Sequence, residues 1–119
     1  MKRVYVAGLY SSNSDGSVAN VIEVLRNIRN GQRESLAVLR LGYAPFCPWL
    51  DYQFSLLDDE PITKEMYYTY SLAWLAVSDA MYVISTGAPG GGVDVEIKYA
   101  EVLGIPVYYD KRALVEGTL

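Results

Sequence analysis

Histidine is absent from this 119-residue chain, and cysteine occurs once, as Cys47. The first absence excludes every Ser-His and Cys-His nucleophile pair and every histidine metal site. The second excludes an intrachain disulfide and points to a reducing compartment. Acid–base chemistry near neutral pH is left to Asp, Glu, Tyr, Lys and Cys47. Basic residues are few. Lys and Arg number 10 against 14 Asp and Glu, the net charge is −4, and no basic run exceeds the pairs Lys2-Arg3 and Lys111-Arg112. A phosphate-backbone footprint is missing, so duplex nucleic acid is not an expected partner. No apolar stretch reaches 18 residues, so no membrane span is expected. Val4 to Leu9 is too short for a signal h-region and no small-residue cleavage pattern follows it, which makes a cytoplasmic location the expectation.

What is present suits one core. Apolar residues make up 51% and charged residues 20%, which argues against disorder, and the length fits a single domain over residues 1–119. Arg3 to Leu9 is nearly continuous in apolar character, as a strand buried on both faces requires. A polar loop follows, and Ser17 can cap a helix with Val18, Val21, Ile22, Leu25 and Ile28 on its apolar face. Asn30-Gly31 interrupts that pattern, as either a break or a bend; a second helical piece runs from Glu34 to Leu41, and Gly42 stops it. Residues 43–47 read as an edge strand because they carry and precede prolines. A short helix is expected over Leu50 to Leu57. Thr63 caps another to Val77, with Met66, Tyr70, Ala73, Trp74 and Val77 on one face. Strands over 80–84 and 105–109 flank a glycine-rich loop and a helix from Val93 to Leu103. Alternating strands and helices predict an α/β fold. We expect a short doubly wound parallel sheet of four strands, order 2-1-3-4, flavodoxin-like, with helices on both faces. Ligands of such sheets sit beyond the carboxyl ends of the strands.

Two loops fall there. Gly90, Gly91 and Gly92 let the backbone approach a ligand and open the N–H groups of the following helix to an anion, although neither a Walker nor a Rossmann pattern is present. Ser11 and Ser12, after the first strand and its closing Gly8, could hold a phosphate or a sugar hydroxyl; ordinary turn chemistry explains them equally well. Glu96, with Asp94 two residues earlier, reads as a first-turn carboxylate that the helix dipole keeps ionised. It is either a stabilising acid or a nucleophile. Trp49 and Asp51 belong to an aromatic segment that could stack a base or pack as a loop. Tyr67, Tyr68, Tyr70 and Trp74 crowd more than one face of one helix, which points to a subunit interface and a homo-oligomer, at least a dimer.

Val4-Tyr5-Val6-Ala7-Gly8, Tyr43-Ala44-Pro45-Phe46-Cys47-Pro48, Asp79-Ala80-Met81-Tyr82-Val83 and the Gly92-x-x-x-Glu96-x-x-x-Ala100 pattern before Gly104-Ile105-Pro106-Val107 together span nearly the whole chain. They resemble the nucleoside 2-deoxyribosyltransferase superfamily, most closely its small, largely uncharacterised bacterial and phage branch. The resemblance implies that Glu96 attacks the anomeric carbon of a deoxyribosyl group, that Tyr5 helps to hold Glu96, and that members are oligomers acting on nucleosides or their 5′-monophosphates without metal or organic cofactor. It also exposes two departures. Where the enzymes carry a site-facing aspartate in the helix before the third strand, register from Asp79 puts Ser71. Where they carry aspartate or serine six residues before the glutamate, this chain has Gly90. A serine cannot replace a carboxylate as acid or base, so Asp51 or Asp94 would have to compensate. Otherwise the chain is a non-catalytic nucleotide-binding or sequestering protein on the same fold. Pro89 to Glu96 is also similar to the Pro-Gly-Gly loop and glutamate of nucleotide phosphoribohydrolases, one residue short and without their threonine.

Overall fold

The computed structural model describes residues 1–10, 18–57, 59, 60, 62–87 and 89–119, apart from the side chains of Val18, Ala19 and Tyr52. The strands β1 (Arg3–Ala7), β2 (Ala44–Phe46), β3 (Ala80–Val83) and β4 (Val107–Tyr108) form one four-stranded sheet in the order β2-β1-β3-β4. All three pairings are parallel, with Val4 opposite Ala80, Tyr5 opposite both Phe46 and Met81, and Met81 opposite Val107. The architecture is the expected α/β sheet of order 2-1-3-4. Each strand is shorter than its apolar run, because Leu9, Ile84 and Ile105 continue into loops and still pack against the core.

Strand alternation divides the core in two. Val4, Val6 and Tyr82 meet Val38 of α1 (Val18–Arg40) and Leu114 of α5 (Lys111–Gly117). Tyr5, Ala7, Met81 and Val83 meet Leu75 of α3 (Lys64–Ala76) and Ala100 of α4 (Gly92–Val102). The helix α2 (Pro48–Asp51) and a 3-10 turn (Tyr52–Leu56) lead away from the edge strand β2. Thr63 caps α3 as expected, its Oγ1 accepting from the Met66 N–H at 3.1 Å. Among the described residues, no helix is long and apolar enough to cross a membrane.

The structure adds to or departs from the expected elements in four places. Gly31 does not interrupt α1, which is continuous. A Cβ at Gly31 would lie 2.1 Å from a Trp49 ring carbon, so the glycine admits the indole rather than ending the helix. The predicted apolar face of α1 is largely outward, with Val21, Ile22 and Leu25 exposed. Ile28 and Val38 carry the packing, and Ser35 is buried alongside. In α3 the inward residues are Leu72 and Leu75, whereas Met66, Trp74 and Val77 are exposed. Finally, α5 has no counterpart in the sequence reading. Asp110 caps it by accepting the Ala113 N–H at 2.7 Å, but seven residues are too few to display a helical period. Glu34 ties this helix to the rest, accepting from Lys111 Nζ at 2.9 Å and from the Tyr82 hydroxyl at 3.0 Å.

Candidate functional site

Because β1 and β3 run parallel and adjacent, their carboxyl ends open together on one edge of the sheet. A cavity of about 680 Å³ lies there. Its wall is built from the turn after β1 (Gly8, Leu9, Tyr10), the two ends of α2 (Pro48, Asp51), the first turns of α3 (Lys64, Tyr67, Tyr68, Ser71) and the start of α4 (Gly90, Gly91, Gly92, Val93, Glu96). The β1 turn is held by the Leu9 N–H, which donates to Ser85 Oγ at 2.9 Å. Gly8 makes this turn possible, since a Cβ there would lie 2.7 Å from Ile84 and 2.8 Å from Trp49.

Glu96 stands one turn inside α4, beyond the first turn that contains Asp94. The expectation that it stays ionised is corrected. Burial pushes its carboxyl from an ordinary 4.5 up to about 7, while the Tyr5 hydroxyl works in the opposite direction. The helix dipole is felt chiefly in the first turn, and desolvation wins one turn deeper. Tyr5 rises from the centre of β1 with no exposed surface. Its hydroxyl completes no hydrogen bond among the described residues. Burial first, then the charge of Glu96, raise its pKa, and Ser71 opposes them. The fold therefore brings Tyr5, Ser71 and Glu96 together, with Ser71 and Glu96 on the cavity wall and Tyr5 behind them.

The two other acids separate. Asp51 closes α2 at the cavity wall, with Oδ2 enclosed and without a hydrogen-bond partner. Burial raises its carboxyl, and the Tyr70 hydroxyl beside it pulls the other way. Asp94, by contrast, does not line the cavity. It accepts the Gly90 N–H at 2.8 Å and pairs with Lys98 at 3.1 Å, and these partners hold it below the usual carboxylate range. Asp94 thus braces the glycine loop, which corrects its assignment to ligand binding. Trp49 is also reassigned. It is 1% exposed, wedged between Gly8 and Gly31, with its indole N–H donating to the Leu9 carbonyl at 3.2 Å. It forms the floor under the β1 turn and cannot stack a ligand. Ser11 and Ser12 lie outside the described residues.

Sequence reasoning assigned Tyr67 and Tyr68 to a subunit interface, and both face the cavity. Tyr10 and Lys64 were not singled out, although they line it too. One signal was available: a helix leading into a parallel strand runs back along the sheet, so the first turn after the Thr63 cap must lie at the strands' carboxyl ends. Lys64 Nζ sits 5.5 Å from the Tyr68 ring centre. Tyr10 is half-buried, and its hydroxyl, raised by desolvation and then by Asp51, donates to the Pro48 carbonyl.

A family model described as a domain of unknown function (DUF7768) matches residues 2–110. No curated protein and no solved structure matches the chain.

Proposed function

As the chain belongs to the DUF7768 family, whose description assigns no activity, we propose a function from the chemistry of its cavity: cleavage or sugar transfer at the N-glycosidic bond of a (deoxy)nucleoside or its 5′-monophosphate, with Glu96 as nucleophile. One observation carries this reading. A carboxyl desolvated enough to titrate near 7 lines a cavity of about 680 Å³ at the strand ends, within the range of small-molecule pockets. The position is also that of the nucleophile in the superfamily the sequence resembles.

Glu96 attacks C1′ as a carboxylate; a C1′–O bond forms while the C1′–N bond breaks and leaves its electron pair on the base. Water or a second base then attacks C1′, and the ester bond breaks to restore Glu96. A poorly solvated carboxylate is a better nucleophile, but only once it is ionised. With Glu96 titrating near 7, kcat/KM is expected to rise with pH through the acid range toward roughly pH 7. Tyr5→Phe removes the hydroxyl that lowers this value, so it should shift the acid limb toward higher pH. Chromatography of free base released from deoxynucleosides and their 5′-monophosphates, over a pH series, tests both. Tight binding without base release would defeat the enzyme reading and leave a nucleotide-sequestering protein.

The same reading includes a homo-oligomer. Met66, Trp74 and Val77 expose apolar surface along α3, beside the tyrosines of the cavity wall. Sedimentation at micromolar concentration should give a dimer or larger species; a monomer would refute the assembly without touching the chemistry.

A further inference from the structure

The proposed chemistry leaves one demand unmet. A nucleobase that departs with the C1′–N electron pair is strongly basic unless a proton reaches it. Ser71 lines the cavity, yet a hydroxyl cannot supply that proton as a carboxylic acid does. Among the described residues of the cavity wall, Asp51 and Glu96 are the two carboxyls, and Glu96 is committed to the sugar. They come from different sides of the central strand, since α2 follows β2 and α4 follows β3, and β2 and β3 flank β1. A ligand lying across the end of β1 would therefore meet one carboxyl at each end.

We propose that Asp51 is the general acid that protonates the departing base from the side of the cavity opposite Glu96. The proposal rests on the N-glycosidic reading above. The unpartnered Oδ2 supports it: an enclosed carboxylate oxygen without a donor disfavours the charged form. Burial, which holds the proton on Asp51 to higher pH than usual, agrees. Two hydroxyls of the wall are engaged. Tyr10 donates to Pro48, and Tyr67 is shared with Ser55 Oγ at 2.7 Å.

The step balances. Glu96 begins as carboxylate and Asp51 as acid. The C1′–O bond to Glu96 forms, the C1′–N bond breaks, and the proton of Asp51 moves to the base, which leaves neutral. Water then attacks C1′ and gives its proton to Asp51, while the ester electrons return to Glu96. Developing positive charge on the sugar favours the carboxylate at Glu96, and developing negative charge on the base favours the acid at Asp51. The transition state itself thus sorts the proton between the two groups.

Leaving-group dependence separates this role from a structural one. Wild type, Asp51→Asn and Glu96→Gln would each be given 2′-deoxyadenosine, whose base needs a proton, and 4-nitrophenyl 2-deoxyribofuranoside, whose phenolate leaves without one. Asp51→Asn should lower kcat on deoxyadenosine by about 10²–10⁴ and change the nitrophenyl substrate less than about threefold, while Glu96→Gln loses both. Melting curves check that Asp51→Asn is folded. An equal loss on both substrates, or no loss on either, overturns the acid role and leaves the nucleophile standing. If wild type cleaves neither substrate, the N-glycosidic reading falls and this proposal with it.

Discussion

Glu96→Gln is expected to abolish turnover and, above neutral pH, to make the protein more stable. Glutamine keeps the shape of the side chain but cannot form a glycosyl ester. The stability effect follows from the carboxyl's burial. In the folded chain Glu96 holds its proton up to about 7, whereas the ordinary value is 4.5. Between those values the folded state binds more protons than the unfolded state, so wild-type stability falls as pH rises from about 4.5 through 7. Below that window the stabilising protonated form is fully present; above it, folding must bury a charge. The accumulated loss is on the order of 3 kcal/mol. Glutamine, neutral in both states, escapes it. Melting temperatures of the two proteins should nearly coincide at pH 4 and differ at pH 8 in favour of the variant, by on the order of 10 °C. A variant less stable at pH 8 would show that Glu96 is an ordinary stabilising acid, and undiminished turnover would remove it as nucleophile.

Gly31→Ala should be strongly destabilising, against the usual rule for helices. In a helix interior this substitution ordinarily gains about 1 kcal/mol. Here the new methyl would lie 2.1 Å from Trp49 Cδ2 and 2.3 Å from Cε2. The indole cannot retreat easily, because its far side lies against the site of Gly8. Forcing a rearrangement of this kind costs about 1–3 kcal/mol or more after the helix gain is offset. Urea denaturation should show a lower midpoint with an unchanged slope. The displaced ring would also press on the β1 turn, so activity should decline with stability. A variant at least as stable as wild type would mean that Trp49 does not fill the notch.

Much of the fold was legible because several signals agreed on each element. Val4, Tyr5 and Val6 read as a doubly buried strand; Thr63 read as a cap; the glycines before Val93 read as the turn into a helix. What escaped was information about depth. Periodicity places an apolar stripe on α1 but does not say which way it faces, and here a glycine, a serine and a valine outrank Val21, Ile22 and Leu25 for the interior. A glycine inside a helical pattern looks like a break unless its partner, an indole 18 positions later in the chain, is known to press on it. Glu96 was identifiable as a candidate, yet its charge state was misjudged: one further helical turn exchanges the field of the helix end for the desolvation of the cavity. Asp51 and Asp94 looked alike in sequence. The glycine loop distinguishes them by engaging Asp94 through the Gly90 N–H, leaving Asp51 at the wall.

The pairing of β1 with β3 bears on how the chain folds. The two strands are joined across roughly 75 residues, and closing a loop of that length costs about 4 kcal/mol of chain entropy before any contact rewards it. The pairings of β1 with β2 and of β3 with β4 span far fewer residues, so the β1–β3 contact at the centre of the sheet is expected to form last. Until β3 is available, Val4-Tyr5-Val6 is an apolar, β-prone segment with an open edge, the kind that aggregates while it waits. Lys2 and Arg3 immediately before it carry like charges that keep two such segments apart. Once the sheet closes, Arg3 is retained at its margin, its backbone N–H bonded to Asp79 at 2.7 Å.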